Sequence, residues 1–360
     1  MSTNYMQHAL ALGRKAKGHV SPNPAVGAVI VKGEEIIGEG YTQPPGSHHA
    51  EIVALKQAGE AARGATMYVT LEPCCHRGRT PPCTEAIIAS GVREVHMAML
   101  DPNPLVSGKG KEQLESAQIN TYVGENGEEA QQVNEDYIKF ITTKMPFVTV
   151  KFAMSLDGKI ATRNFDSKWI SNESSRERVH QLRTITNAIM VGSNTVVRDD
   201  PQLTARTDHG EHYPLRIIVD SSGQTPPQAQ VFKEPGKTLI ATTTEIDSTR
   251  EQQYLEAGVE VTKLPSRNDM VDLAALFKAL GERDIVSVLV EGGGQLLGSL
   301  FDLGLVDKVL IFIAPIIIGG EEAINPVAGE GVNLVAEAWR LTQVEVEQLE
   351  DDIMVSGYIR

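Results

Sequence analysis

Short apolar runs alternate along this chain with longer amphipathic stretches, the rhythm of strands interleaved with helices. In the first half the pattern predicts a helix over 3–17, a buried strand at Ala25–Val31 and an alanine-rich helix over 50–62 that closes at Gly64. Strands follow at Thr66–Leu71, Val92–Met99 and Ile119–Val123, with helices at Thr84–Ser90 and 107–117. A single acidic helix is predicted at 126–143. Lys144-Met145-Pro146 ends it, because the residue before a proline is pushed out of the helical region. Phe147–Ala153 then opens a new strand. This break predicts two domains, 1–145 and 146–360. In the second, strands are expected near 188–192, 215–220, 238–242, 259–263, 285–290 and 306–313. Helices fit near 173–184, 248–257, 271–281 and 294–303. The alternation implies an α/β sheet in each half.

Composition narrows the function classes. Hydrophobic residues at 41% and charged residues at 22% suffice for two packed cores. A formal net charge of −14 leaves no basic surface for a phosphate backbone, and aromatics at 5% leave few stacking platforms. A nucleic-acid polymer is therefore not the expected partner, whereas a small phosphorylated molecule remains compatible. No run approaches the roughly 20 apolar residues of a membrane span. The first residues lack the basic start and apolar run of a signal peptide, so a cytoplasmic location is expected.

All three cysteines fall in Pro73-Cys74-Cys75-His76-Arg77-Gly78-Arg79-Thr80-Pro81-Pro82-Cys83, with His49-Ala50-Glu51 upstream. One histidine and two cysteines form the three-ligand set of a catalytic zinc site with a fourth position open to water. His49, Cys74 and Cys83 are the predicted ligands, and Glu51, beside the histidine, is the predicted proton carrier. A helix beginning near Cys83 would favour its thiolate form. His-x-Glu followed by Pro-Cys-x-x-Cys is the zinc-deaminase signature, but here eight residues separate Cys74 from Cys83 instead of two. Cys75, His76 and His48 are competing donors. With His76 as a fourth ligand the cluster would be a structural zinc knuckle.

The longer spacing is itself informative. Together with Ser21-Pro22-Asn23-Pro24, Asp101-Pro102-Asn103-Pro104 and Ser107-Gly108-Lys109-Gly110, it resembles the bacterial bifunctional deaminase/reductase family of riboflavin biosynthesis, end to end. The resemblance implies a cytidine-deaminase-like three-layer α/β/α domain followed by a dihydrofolate-reductase-like α/β domain. The first would use zinc and the second NADPH. Asn23, and Arg79 for a phosphate, are the expected substrate contacts of the first domain.

In the second half, Val290-Glu291-Gly292-Gly293-Gly294 is a strand feeding a glycine turn and a helix, an arrangement that offers backbone N–H groups to a phosphate. Taken alone it is weak, because it lacks the GxGxxG spacing. The resemblance implies cofactor contacts from Ala153, Trp169, Thr195, Asp199 and Ser221, and from a loop of Gly293, Gly294, Gln295, Leu296, Leu297, Gly298 and Ser299. It implies substrate contacts from Ser167, Arg183, Leu203, Arg206 and Glu291, with Lys151 a candidate proton donor. The expected reaction is deamination of a small phosphorylated pyrimidine, then NADPH-dependent reduction of its ribosyl side chain, in a homo-oligomer. The competing expectation is a nucleotide or tRNA deaminase with a non-catalytic second half.

Overall fold

The computed structural model describes residues 4–78, 81–207 and 210–360. The chain divides into two compact units, Met1–Met145 and Pro146–Arg360.

The first unit runs α1 (Tyr5–Ala16), β1 (Gly27–Lys32), β2 (Glu35–Tyr41), α2 (Ala50–Ala58), β3 (Thr66–Val69), α3 (Cys83–Ser90), β4 (Glu94–Met97), α4 (Lys109–Ser116), β5 (Asn120–Val123), α5 (Gly127–Val133) and α6 (Glu135–Thr143). Its sheet has the order β2-β1-β3-β4-β5. β1 is antiparallel to both neighbours, and β3, β4 and β5 are parallel. The strand period of two explains the layering. Ala28 and Ile30 of β1 pack with Ala50, Ala54 and Ala58 of α2 on one face. Val29 and Val31 pack with Met6, Ala9 and Leu10 of α1 on the other. The result is three layers, helix on sheet on helix.

Two details position the site. A Cβ at Gly38 would lie 2.3 Å from the Ala54 carbonyl oxygen, and one at Gly40 would lie 2.7 Å from that of Ala50. These glycines let α2 lie directly on β2, which fixes the N-terminus of α2. The acidic helix predicted over 126–143 is instead two helices broken at Asn134. The Asn134 side chain accepts from the Ala25 N–H (2.8 Å) and donates to the Ala25 carbonyl (3.2 Å). Satisfying this buried backbone outweighs continuing the helix. The last turn of the helix predicted over 50–62 is likewise a separate 3-10 turn, Gly59–Ala62.

The second unit continues with β6 (Phe147–Ser155), α7 (Glu173–Thr184), β7 (Ala188–Gly192), α8 (Ser193–Asp199), β8 (Ala205–Thr207), β9 (Gly210–His212), β10 (Leu215–Val219), α9 (Gln230–Lys233), β11 (Thr238–Thr243) and α10 (Ser248–Glu256). It ends with β12 (Glu260–Leu264), β13 (Ser266–Arg267), β14 (Met270–Val271), α11 (Leu273–Glu282), β15 (Ser287–Glu291), α12 (Gly294–Asp302), β16 (Lys308–Ala314), β17 (Leu341–Leu349) and β18 (Asp352–Ile359). The main sheet has the order β12-β11-β10-β7-β15-β6-β16-β18-β17. From β12 to β16 its strands are parallel, and β18 and β17 complete it as antiparallel strands. The β17–β18 hairpin lies beyond the predicted strands. Residues 343–348 of β17 are exposed, so pairing with β18 rather than burial holds this strand.

Candidate active sites of the two units

In the first unit two helix N-termini converge. His49 is the N-cap of α2 in an extended conformation, and Glu51 lies in the first helical turn. Cys83 is the first residue of α3, after Pro82 at the N-cap. Cys74 reaches this helix end. Its Sγ accepts from the Cys83 N–H (3.4 Å), and its carbonyl accepts from the Thr84 N–H (3.2 Å). His49 Nδ1 lies 3.6 Å from Cys74 Sγ and 3.3 Å from Cys83 Sγ. The three ligand atoms are all within 4.8 Å of one another.

The charges are tuned as a group. A hydrogen bond from the Cys83 thiol, aided by His49 and the α3 amide, lowers the Cys74 thiol to about 4. The same bond, with burial, pushes Cys83 well above the ordinary thiol range. The Cys74 contact raises His49. Burial raises Glu51, which is 4% exposed, and negative charge on Cys74 adds to the shift. Two sulfurs and one imidazole nitrogen at these separations, with one sulfur already favoured as thiolate, fit a zinc ion. The competing donors lie elsewhere: Cys75 Sγ faces the Leu105 carbonyl at 4.0 Å, and His48 contacts Lys56 Nζ at 2.5 Å. Asn23 sits in the turn before β1, where its N–H donates to the Val20 carbonyl (2.8 Å). Arg79 lies outside the described residues.

One buried carboxylate that the sequence pattern does not single out supports this centre. Glu72, 3% exposed, accepts from the backbone N–H groups of Asp101 (3.1 Å), Gly108 (2.9 Å) and Lys111 (3.0 Å). It thereby ties the 101–111 segment to the strand end that delivers Pro73 and Cys74. Its partners are 29 to 39 residues away, so no local spacing reveals it.

In the second unit, Ser167, Thr195, Asp199, Ser221, Gly293, Gly294, Gln295, Leu296 and Ser299 line one cleft of about 990 Å³. Gly292 and Gly293 have φ of 83° and 86°, the left-handed region that glycine enters without strain. Their turn opens the N-terminus of α12 onto the cleft. A cleft of this volume with a glycine turn and a helix N-terminus fits a dinucleotide.

The predicted 293–299 loop is helical from Gly294, and this separates its members. Leu297 is fully buried, and a Cβ on Gly298 would lie 2.1 Å from the Ala328 carbonyl oxygen, so both face the interior. Ala153, on β6, packs against the cluster of Val179, Leu310, Phe312 and Met354. Trp169 is 69% exposed beneath the Arg176 guanidinium, 4.9 Å from its ring centre. Neither residue is among those lining the cleft.

The other candidates cluster around a buried ion pair. Arg183 Nε and Nη2 donate to the Glu291 carboxylate at 2.6 and 2.8 Å, and Nη1 donates to the Thr204 carbonyl at 2.8 Å. Much of the guanidinium is thus engaged within the protein. Glu291 on β15 is the register partner of Lys151 on β6. Burial lowers the Lys151 ammonium, against the pull of Glu291. The Arg206 N–H donates to His180 Nδ1 (3.2 Å), and its guanidinium meets Gln202. Leu203 is 4% exposed, with a left-handed φ of 53°.

Comparison with known proteins matches this division. Residues 1–99 match the cytidine and deoxycytidylate deaminase zinc-binding region, and residues 146–355 match the RibD C-terminal domain. The riboflavin biosynthesis protein RibD of Aquifex aeolicus is 45% identical over 353 residues, covering 98% of this chain and 97% of that protein. The RibD of Escherichia coli is 39% identical, covering 97% of each chain. Among solved structures, Acinetobacter baumannii RibD aligns with a TM-score of 0.88 and 35% identity, covering 99% of this chain and 98% of that one. A Thermotoga maritima diaminohydroxyphosphoribosylaminopyrimidine deaminase/5-amino-6-(5-phosphoribosylamino)uracil reductase aligns with a TM-score of 0.86 and 36% identity, with the same coverage. A zinc-binding deaminase unit and a reductase unit in one chain, with identity across nearly its whole length, place the chain in the RibD family of bifunctional deaminase/reductases of riboflavin biosynthesis.

Proposed function

We propose that the first unit hydrolytically deaminates 2,5-diamino-6-ribosylamino-4(3H)-pyrimidinone 5′-phosphate. The second unit then uses NADPH to reduce the ribosyl group of the product, giving 5-amino-6-(5-phosphoribitylamino)uracil. The observation that carries this reading is the buried carboxylate of Glu51 beside the His49, Cys74 and Cys83 donor set, in a chain that also holds a reductase unit.

His49, Cys74 and Cys83 would hold zinc, which supplies the Lewis acidity that activates a water. Glu51 is not a ligand. Its carboxylate takes a proton from the attacking water and delivers it to the pyrimidine ring nitrogen. It then carries the second proton from the hydroxyl now on the carbon to the amine, which leaves as ammonia as the C–N bond breaks and the carbonyl forms. Burial favours the protonated carboxyl, which suits the delivery half of this cycle. Asn23 and Arg79 are the proposed substrate contacts in this unit.

In the second unit NADPH supplies a hydride. The substrate accepts it at C1′ as the open-chain imine, because the closed ribose offers no acceptor carbon. Lys151 is the proposed donor of the matching proton to the imine nitrogen, and burial makes its ammonium more acidic. Glu291, held by Arg183, orients Lys151. Ser167, Leu203 and Arg206 would contact the substrate. Thr195, Asp199, Ser221, Gly293, Gly294, Gln295, Leu296 and Ser299, which line the cleft, would contact the cofactor.

The competing reading is a nucleotide or tRNA deaminase with an inert second half. The net charge of −14 weighs against a polynucleotide substrate. The deciding experiment generates the diaminopyrimidine phosphate in situ and follows ammonia release and NADPH oxidation by the full chain. The proposal expects both, with NADPH oxidation lost when zinc is chelated and restored by supplying the deaminated intermediate. Ammonia release without any NADPH consumption, even from the deaminated intermediate, would favour the competing reading.

A further inference from the structure

We propose that Arg267, presented with Ser221, Ser222 and Gln224 at one end of the reductase cleft, binds the 2′-phosphate of the dinucleotide and makes this unit select NADPH over NADH. The assignment rests on reading the cleft as the dinucleotide site.

Sheet order gives the cleft a direction. Across the sheet the relevant strands run β10-β7-β15-β6. The glycine turn that receives the pyrophosphate follows β15. Lys151 on β6 and Glu291 on β15, the latter paired with Arg183 of α7, place the charged centre at these two strands, so the reacting ring belongs on that side. The adenosine half then runs the other way, past β7 to the end of β10. Two strand spacings amount to about 10 Å, within reach of an adenosine seated on the glycine turn. Ser221, Ser222 and Gln224 line the cleft just after β10 ends at Val219.

The strand-end acids at that end are occupied within the protein, and Arg267 and Asp269 of one hairpin are the further charged groups lining it. A dinucleotide site that selects NADH places an acid at a strand end to accept from the 2′-hydroxyl. Here the acid following β10 is Asp220, which is fully buried and already committed. Its carboxylate accepts from the N–H groups of Gln224 (2.9 Å) and Thr225 (2.8 Å) and from Tyr254 Oη (3.1 Å). Asp272, also in the lining, is occupied as the N-cap of α11.

Two arginines line the cleft, Arg198 and Arg267. The Arg198 guanidinium lies over the Phe165 ring, 3.4 Å from its centre. Arg267 is exposed and makes no ion pair or side-chain hydrogen bond among the described residues. Its backbone is nonetheless anchored. It sits on the β13–β14 hairpin, whose turn residues Asn268 and Asp269 have φ of 52° and 59°. The Val271 N–H donates to Ser221 Oγ at 3.0 Å, clamping the hairpin to the serine turn. Arg267, Ser221 and Ser222 line the same cleft, and a guanidinium with hydroxyls is a donor set suited to a phosphate.

The test is equilibrium binding to the full chain, followed by cofactor fluorescence for NADPH and NADH, with calorimetry of 2′,5′-ADP and of ADP as probes of the adenosine end. The wild type is expected to bind NADPH and 2′,5′-ADP more tightly than NADH and ADP, with the gap narrowing as salt rises. Arg267→Gln should weaken NADPH and 2′,5′-ADP by about 10- to 100-fold while leaving NADH and ADP unchanged. Arg267→Lys should recover part of the loss, since it restores charge without the bidentate fork. Equal loss for both cofactors, or no loss for NADPH, would overturn the assignment of Arg267 while leaving the cleft as the dinucleotide site. A wild type that binds neither NADPH nor NADH would overturn the reading of the cleft itself, and the assignment with it.

Discussion

His49, Cys74 and Cys83 come from a 35-residue span, and their ligand atoms gather within 4.8 Å at two helix ends. The lining of the reductase cleft runs from Ile160 to Glu330 and takes its residues from turns after β7, β10 and β15. The first site depends on the chemical identity of four side chains. The second depends largely on where a parallel sheet ends its strands and where glycine turns expose backbone. A metal site needs particular donor atoms, so its residues are irreplaceable and their types betray it. A dinucleotide site draws on peptide groups, helix ends and shape, which many sequences can supply.

If the two sites are separate in this sense, disabling one should leave the other intact. The largest expected effect is at Glu51. Glu51→Gln should reduce ammonia release by about 10²–10⁴-fold, as loss of a general acid–base does, while metal analysis finds zinc retained. NADPH oxidation with the deaminated intermediate should be unchanged. A deaminase that survives this change would remove Glu51 from the proton path. A reductase that falls with it would break the separation.

The second unit has its own charged centre, and there the expected effect is on stability as well as activity. Glu291→Gln leaves Arg183 and Lys151 as two largely buried cations without their carboxylate. Breaking a buried pair on one side costs about 3–5 kcal/mol. Unfolding by urea should therefore show the second unit's transition moved to lower concentration and the first unit's unmoved, with zinc content and ammonia release preserved. A shared shift of both transitions would show that the units do not unfold independently.

The smallest effect sharpens the comparison within the first unit. Asn134→Ala should cost about 1–3 kcal/mol, because it leaves the Ala25 N–H and carbonyl buried without their partners. The loss should appear as a lower urea midpoint for the first unit at full zinc occupancy, with the reductase unaffected. Retained stability would mean that the break between α5 and α6 is set by something other than this bridge.

These cases also mark how far the sequence could be read. Strand and helix positions such as Ala188–Gly192 and Glu173–Thr184 agree with the sequence pattern, because β7 is a short apolar run buried on both faces and α7 buries Ser175 and Val179 four residues apart on one face. The break at Asn134 was hidden, since its partner Ala25 is 109 residues away. The sequence places a glycine turn and then a helix near 294–303, while the resemblance implies cofactor contacts from the whole segment Gly293 to Ser299. Side-chain direction on that helix sends Gln295 and Ser299 to the cleft and Leu297 and Gly298 to the interior. Arg183 is expected as a substrate contact, yet its guanidinium is held by Glu291, 108 residues away. Arg267 carries no motif at all. Only the hairpin clamped to Ser221 brings it to the cleft.

By itself, then, the sequence determined the alternation of strands and helices, the His, Cys and Cys donor set and the glutamate beside it. Each of these is written in side-chain type and short spacing, the terms in which local propensity and metal chemistry operate. Tertiary structure alone decided which thiol accepts the α3 amide, which carboxylate ties the 101–111 segment to the strand before Cys74, and which arginine remains available in the cleft. These outcomes depend on contacts between residues far apart in the chain, where burial and hydrogen-bond satisfaction outweigh local preference.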